Sequence, residues 1–425
     1  MFKKALTTTA LCAIVAAGTL AFSADEADAA GFYIQEQSVS ALGAAFSGST
    51  TSIDDASTIY FNPAGMTRLD GPQANLGVNL LIPNGELDDT GSTLLGAPVG
   101  GGDGGNPYDP TPVPNAYVAY PWMNGKLWTG LGVSAPFGLA NEYDDDYFAR
   151  YDSTETELLT INVAPTLAYQ ALPWLSIGGG VDIQYADAEL KAVVTDGVVE
   201  GESKLEGDDV SVGFNLGILA TPIQGTDIGF SYRNGINHEL DGEISATGLS
   251  GLNPAAPNFS VNGTADLDLP DIWTLGVAHN LNDKWRLMGQ ATYFKWSEFE
   301  DITAISDAGA TITSVEQGYE NTWAFAIGAE YEYSPEWTFR AGYQFDETPT
   351  TDEFRTTRTP DGDRNWFTAG TTYKWNENFS LDFAAAYIDV AEEEISVTRN
   401  EGAAIVNADT DGDVGILSLG LNYKF

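Results

Sequence analysis

Leu175-Ser176-Ile177-Gly178-Gly179-Gly180-Val181-Asp182-Ile183-Gln184-Tyr185 separates into two interleaved sets. The odd positions read Leu, Ile, Gly, Val, Ile, Tyr, and the even positions read Ser, Gly, Gly, Asp, Gln. Successive side chains of a strand point to opposite faces, so this stretch has one apolar and one polar face. The split recurs in Thr322–Tyr333, where Trp323, Phe325, Ile327, Ala329, Tyr331 and Tyr333 form the apolar set, and again in Ile416–Phe425. Alternation over about ten residues, bounded by aromatic side chains, predicts strands that cross a bilayer at a tilt, one face to lipid and one to a lumen. A soluble sandwich alternates as well, but its strands usually run only about five to six residues and lack the aromatic borders.

Working outward, short turns fall at Met123-Asn124-Gly125, Leu172-Pro173, Ile223-Gln224-Gly225, Asn282-Asp283, Ser334-Pro335-Glu336 and Asn376-Glu377. Longer polar links lie at 84–112, 140–155, 192–208, 241–264, 300–316, 346–363 and 391–412. Together these connections imply fourteen antiparallel strands, an even number that puts short turns in the periplasm and long loops outside. The first convincing strand carries Ala74, Leu76, Val78, Leu80 and Ile82. The chain therefore divides into 1–29, 30–71 and 72–425. Lys3 and Lys4, the apolar Ala5–Phe22 and the Ala27-Asp28-Ala29 cleavage pattern make 1–29 a signal peptide and Ala30 the expected mature start. Residues 30–71 lack strand alternation and are read as a plug for the lumen, or as an extended arm. Residues 72–425 form the all-β transmembrane barrel, which ends on the aromatic Phe425, a signal suited to the barrel-assembly machinery.

Composition narrows the function. The chain carries 18 Lys plus Arg against 61 Asp plus Glu, a net charge of −43. Nucleic-acid binding needs clustered cations, so no nucleic-acid partner is expected. With 43% hydrophobic and 12% aromatic residues the chain is no disordered acidic tail. The 46 glycines are read as turn formers. The one cysteine, Cys12, lies in the leader, which leaves the mature chain without thiol chemistry. His238 and His279 have no metal-ligand spacing, and no nucleophile elbow or phosphate loop occurs. No enzyme activity, cofactor or metal is expected. Asp409-Thr410-Asp411-Gly412-Asp413 resembles part of a calcium loop but lacks its closing glutamate, and reads as a solvated outer loop.

Several ordered motifs resemble the FadL/TodX family of outer-membrane channels for hydrophobic compounds. They are Ala30-Gly31-Phe32, Asp54-Asp55-Ala56 with Asn62-Pro63-Ala64, Ala135-Pro136-Phe137-Gly138-Leu139, Trp296-Ser297-Glu298-Phe299, and Pro360-Asp361-Gly362-Asp363-Arg364 followed by Trp366 and Ala369-Gly370-Thr371-Thr372-Tyr373. The resemblance implies a fourteen-stranded barrel with an N-terminal hatch. It implies passive uptake of long-chain fatty acids, or of neutral monoaromatic or alkane hydrocarbons, with lateral exit where the third strand bends. Phe32 would touch the ligand, Asn62, Pro63 and Ala64 would approach the lateral opening, and Val133, Pro136, Phe137 and Gly138 would line the bend. Proline cannot donate to a ladder, which suits a bend at Pro136 between Gly132 and Gly138, although Pro136 could equally end the strand.

The scarce cations are the candidates for a carboxylate headgroup. Arg233, Arg286, Arg340 and Arg364 fall on the lumen-facing set, where they could instead neutralise Asp182, Glu330 and Glu332 or pin the hatch. Lys191, near the third long loop, is a further candidate. Glu320 stands where fatty-acid-binding members of the family can carry lysine, which favours a neutral substrate. The expected partners are a hydrophobic small molecule, outer-membrane lipid and lipopolysaccharide, with the chain a monomer. A hydrophilic porin and an adhesive barrel are the competing readings; a filled lumen argues against the first.

Overall fold

The computed structural model describes residues 31–254, 256–399 and 402–425. The expected leader and Ala30 lie outside the described residues. Fourteen strands follow one another, some interrupted: β1 (Gln73–Asp89), β2 (Thr111–Trp122), β3 (Leu127–Ser134 and Gly138–Glu142), β4 (Glu155–Leu172), β5 (Leu175–Thr195), β6 (Glu200–Ile223) and β7 (Thr226–Arg233 and Asn237–Thr247). The second half contains β8 (Phe259–Asp268 and Ile272–Asn280), β9 (Trp285–Phe294 and Asp301–Ser306), β10 (Thr311–Glu316 and Thr322–Glu332), β11 (Trp337–Asp346), β12 (Arg364–Lys374), β13 (Phe379–Arg399) and β14 (Ala404–Lys424). Each pairs antiparallel with the next, and β14 pairs with β1 from Gln73↔Lys424 to Asp89↔Ala408, closing a barrel. Closure removes the free edge that hydrocarbon would not tolerate. No described helix is long and apolar enough to cross a membrane; the strands cross.

The alternation maps onto the two faces as the sequence implies. Ile177, Val181 and Ile183 are exposed on the outside, while Ser176, Asp182 and Gln184 are buried inside. Phe214, Tyr232, Trp273, Tyr293 and Trp323 form an outer aromatic row, with neighbouring rings 4.9–5.7 Å apart. Trp285–Tyr331, Trp337–Tyr373 and Phe379–Tyr423 make the girdle near the short turns. Such paired belts sit at the two interfaces of a bilayer.

Four of the expected long links are largely strand. Most of 192–208, 241–264, 300–316 and 391–412 continues the ladders beyond the apolar band. Above the membrane the outer face of a hairpin meets water while its inner face packs on the loops, Ile395, Val397, Val406 and Ala408 being buried with Tyr143, Tyr147 and Phe148. Pairing therefore persists while the apolar-outward alternation of a lipid-facing strand disappears. Asp409–Asp413 accordingly lies in β14, opposite Asn84–Asp88, and is not a loop.

Residues 31–71 pack inside the barrel. They hold two single-turn helices, α1 (Val39–Leu42) and α2 (Thr58–Phe61), and a 3-10 turn, Pro63–Arg68. Ser38 caps α1, its Oγ accepting from Ala41 N at 3.2 Å. Their side chains reach inward groups all round the wall: Gln37 donates to Ala135 O of the β3 interruption, Asn62 to Ile218 O on β6, Ser49 to Gln290 on β9, and Gln344 on β11 donates to Gln35. Glycines at mid-strand make room for them. A Cβ on Gly178 would lie 2.6 Å from Ala64 N, one on Gly370 2.7 Å from Gly43 Cα, and ones on Gly217 and Gly342 would overlap Asn62 and Ala44. Turn formation thus accounts for only part of the glycine content; another part moulds the wall to the hatch.

Candidate functional site: an apolar pocket beside a break in the wall

The site forms where β3 leaves the wall. Its ladder with β2 stops at Ala116↔Val133, whereas β2 remains paired to β1 as far as Leu81↔Thr111. On the other side Ser134 pairs with Asn162 and Gly138 with Leu159, so three residues of β3 oppose two of β4. Residues 134–139 are all buried; the strand turns into the lumen there instead of presenting a lipid face. Pro136 therefore bends β3 and does not end it.

The hatch takes over the lost pairing. Ile34 N donates to Pro136 O at 2.8 Å, Gly138 N to Phe32 O at 2.9 Å, and Gln37 bonds both the N and the O of Ala135. Across the gap, residues 111–115 of β2 have no partner on the β3 side. Pro112 and Pro114 stand in this stretch while the β1 ladder runs unbroken past them, so the missing N–H groups fall on the open edge. That edge exposes fewer orphan donors to lipid. The proline alternation Thr111-Pro112-Val113-Pro114 is the sequence signal of this edge, although the link expected at 84–112 covers part of it.

Phe32 is the centre of the apolar side of the site. Its ring meets Trp296 edge-on at 4.8 Å and Phe299 at 5.2 Å, with Phe137 at 6.1 Å and Tyr319 at 6.3 Å. Trp296 and Phe299 of the Trp296–Phe299 motif, with Tyr319 beside Glu320, thus supply the walls around Phe32, a role the resemblance does not assign them. Above Phe32 lies a cavity of about 80 Å³, almost wholly apolar, lined by Leu139, Leu158, Leu240, Leu267 and Ile302 among others. It lies below a wider vestibule of about 980 Å³ at the long-loop end. At the short-turn end, on the other side of the hatch, a cavity of about 250 Å³ is polar and lined by Asp54, Asp55, Glu330, Arg340 and Asp382.

The expected cations are engaged elsewhere. Arg233 pairs with Asp182 at 2.6 Å, donates to Tyr60 O at 2.9 Å and covers the Tyr60 ring at 4.5 Å. Glu330 is held between Arg286 at 3.3 Å and Arg340 at 2.7 Å, and Arg286 also faces Asp54 of the hatch at 3.7 Å. Arg364 pairs with Asp361, whose other oxygen accepts from Gly31 N at 2.9 Å. Lys191 is held by Glu155 and Glu189 at 2.5 and 2.7 Å. Asn62, Pro63 and Ala64 do not face the β3 break. Asn62 caps the 3-10 turn and bonds β6, and Pro63 and Ala64 seat against Gly178 and Gly217. The residues at the break belong to the stretch Phe32–Gln37, whose backbone and Gln37 side chain supply the partners that the bent strand lacks.

Arg358, which the motif search passed over, is the one Lys or Arg among the residues lining the apolar cavity, and it also lines the vestibule. Its terminal nitrogens donate to Glu155 O, Thr156 Oγ1, Asp152 O and Lys191 O, with no carboxylate in ion-pair range among the described residues. Burial lowers its pKa, opposed by nearby Asp152. Burial likewise works against the charge of Asp152, but Arg399, Arg358 and the bonds from Thr357 outweigh it and hold that carboxyl below its usual range.

Comparison with known proteins agrees with this geometry. Residues 20–425 match the family model described as outer membrane protein transport protein (OMPP1/FadL/TodX). A long-chain fatty acid transport protein of Escherichia coli O6:H1 is 30% identical over 96% of this chain and 97% of its own length. The crystal structure of a Pseudomonas aeruginosa FadL homologue superposes with a TM-score of 0.86 at 26% identity, covering 93% of this chain and all of that one (100%). The toluene transporter TodX of Pseudomonas putida shares the fold, with a TM-score of 0.65 at 16% identity over 88% of this chain and 96% of its own. The protein belongs to the FadL/TodX family of outer-membrane transport proteins and is a fourteen-stranded β-barrel of the outer membrane.

Proposed function

We propose that this barrel is a passive channel for hydrophobic molecules, above all long-chain fatty acids, and has no enzymatic role. One observation carries the reading: the ring of Phe32 lines an apolar pocket while its carbonyl accepts from Gly138 N at the break in the wall, and the way straight on is filled by the hatch and leads to a polar chamber. Substrate comes from lipopolysaccharide through the vestibule, settles in the pocket and leaves between β2 and β3 into the bilayer. Movement of the Phe32–Gln37 stretch of the hatch clears that route. The expected hatch spans 30–71 and works as a monomer's own plug; lipopolysaccharide surrounds the acidic outer strands, and the barrel-assembly machinery inserts the chain.

Arg358 gives the pocket a cation that no carboxylate neutralises directly, which suits a fatty-acid headgroup. Arg233, Arg286, Arg340, Arg364 and Lys191 hold the wall and hatch together and do not receive the ligand. The second reading, a neutral hydrocarbon, draws support from Glu320 in place of a lysine. A strain deleted for the gene, grown on an oleate, alkane or toluene carbon source in turn, separates them. Growth lost on oleate alone supports the fatty-acid reading, and loss on hydrocarbon alone supports the second. Undiminished growth on all three, with ion conductance of the purified barrel equal to an open pore, refutes the hydrophobic channel.

A further inference from the structure

The wall is broken a second time, between β6 and β7. Their ladder runs from Thr226↔Ile223 to Arg233↔Asn215 and resumes only at Asp241↔Asp208. Between these points, residues 209–214 of β6 face 234–240 of β7 without paired register. β7 stays with β8 throughout, since Asn237↔Asp268 resumes that ladder and Leu269 N donates to Ile236 O across the interval. The slit therefore opens on the β6 side of β7; a separate interruption, between β8 and β9, lies from Ala265↔Ala304 to Ile272↔Phe294.

Both mouths of the slit are apolar. Outside, Val210, Val212 and Phe214 are 60%, 64% and 44% exposed. The Phe214–Tyr232 ring pair, part of the outer aromatic row, marks its membrane-side edge. Inside, Ile236, Leu240, Leu267 and Leu269 share one apolar cluster with Phe32, and Leu240 and Leu267 also line the pocket.

Side chains and one backbone bond at its lower end close it. Ile236 is seated over Gly213, where a Cβ would lie 2.7 Å from Ile236 Cγ1. Asn234 accepts from Phe214 N and its own N donates to Phe214 O. His238 spans the seam, with Nδ1 at 2.9 Å from Asp209 Oδ2 on β6 and Nε2 at 3.0 Å from Gln184 Oε1 on β5. The β2–β3 break differs, because there the hatch backbone fills the gap and must move.

We propose that the β6–β7 slit is a second lateral opening, through which apolar molecules dissolved in the outer leaflet exchange with the Phe32 pocket, and that Ile236 and the Asp209–His238–Gln184 bridge are its latch. This rests on the transport reading above. Backbone left unpaired at a lipid-facing wall is tolerated only where something else covers it. An apolar molecule that passes from leaflet to pocket through the slit never exposes its chain to water, which would cost about 25 cal/mol for each Å².

The test staples the seam. Gly213→Cys with Ile236→Cys suits a disulfide, because a Cβ on Gly213 would lie 2.7 Å from Ile236 Cγ1, the position a cysteine sulfur would take, in a chain whose one native cysteine, Cys12, lies in the expected leader. Initial uptake of radiolabelled oleate is measured in cells that lack other such channels. Oxidation is expected to slow uptake about twofold or more, as the closure of one of two parallel gates does, with recovery in dithiothreitol. A companion variant, Asp209→Asn with His238→Gln, loosens the bridge and is expected to raise the rate. Equal rates for the oxidised and reduced pair, with cross-linking shown on gels, overturn the opening. Failure of the pair to cross-link contradicts the seating of Ile236 on Gly213 and overturns it too. Absence of oleate uptake by the unaltered protein would overturn the transport reading itself.

Discussion

Replacement of Phe32 by alanine tests the pocket most directly. Phe32 is 3% exposed and touches Trp296, Phe299, Phe137 and Tyr319. Truncating a buried phenylalanine costs about 3–5 kcal/mol in a typical core. The four hydrogen bonds that fix this stretch, Ile34 N to Pro136 O, Gly138 N to Phe32 O, the Gln37 side chain to Ala135 O and Gly31 N to the Asp361 carboxylate, contribute about 0.5–1.5 kcal/mol each. The two sums are comparable, so F32A is expected to fray residues 31–37 from the wall while the barrel, held by its ladders, stays folded. A ligand that packs on the ring loses about 1.5–3 kcal/mol of apolar contact, or about 10- to 100-fold in affinity. The assay pairs titration of a fluorescent fatty acid into detergent-purified protein with gel heat-modifiability as the folding control. Wild-type affinity in a folded F32A barrel refutes the placement of the ligand beside Phe32.

Three further outcomes follow from the same coordinates. Arg358→Leu is expected to weaken binding of a fatty acid about tenfold, the loss of one charge-assisted bond of roughly 1.5 kcal/mol, and to leave a neutral alkane unaffected; equal loss for both probes means that Arg358 only pins the loops. Gly217→Val drives a side chain into Asn62, so hatch seating should fail and planar-bilayer conductance should rise in a barrel that still migrates as folded; an unchanged conductance would show that Asn62 is not needed to hold the hatch. Arg340→Leu leaves Glu330, with a 7% exposed side chain, short of one partner, a kind of loss that costs about 3–5 kcal/mol for buried pairs; the temperature at which the heat-modified band appears should fall, and a shift of zero would place this pair among the exposed ones that contribute little.

How much of this was legible in the sequence depends on which solvent each face meets. Where one face meets lipid and the other the hatch, as at Ile177, Asp182 and Ile183, period-two alternation locates the strand and its register. Beyond the apolar band, as at Glu200–Asp208 or Asp409–Asp413, the outer face meets water and the stretch is rich in acids, so the same ladder lacks the lipid-facing contrast and reads as a loop. The six short turns were legible because each is bracketed by contrast on both sides. For the site, the motifs located Phe32, Pro136 and Phe137, but not the distances that bring Trp296, Phe299 and Tyr319 onto Phe32 from more than 260 positions away in the chain. The lumen-facing set picked out the arginines correctly as inward. Which of them a ligand could use depended on the acids opposite, and that pairing is a property of register, not of spacing.

The break between β2 and β3 also explains why this barrel needs a hatch at all. A pocket that opens sideways must have a floor, or its contents would meet the polar chamber lined by Asp54, Asp55, Glu330 and Asp382. Each buried methylene is worth about 0.8 kcal/mol, so a chain of a dozen or more carbons released toward that chamber would lose roughly 10 kcal/mol relative to the bilayer, a factor far beyond any concentration gradient. The lateral route carries no such penalty, because the ligand exchanges one apolar surround for another. The glycines under the hatch and the prolines on the edge of β2 then belong to one device. The first let residues 31–71 seal the axis closely, and the second let the wall stay open beside them without orphaned donors facing lipid. The chamber below the hatch is polar, its acids Asp54, Asp55, Glu330 and Asp382 standing among cations such as Arg340, whereas Arg358 is the one Lys or Arg that lines the apolar pocket above it.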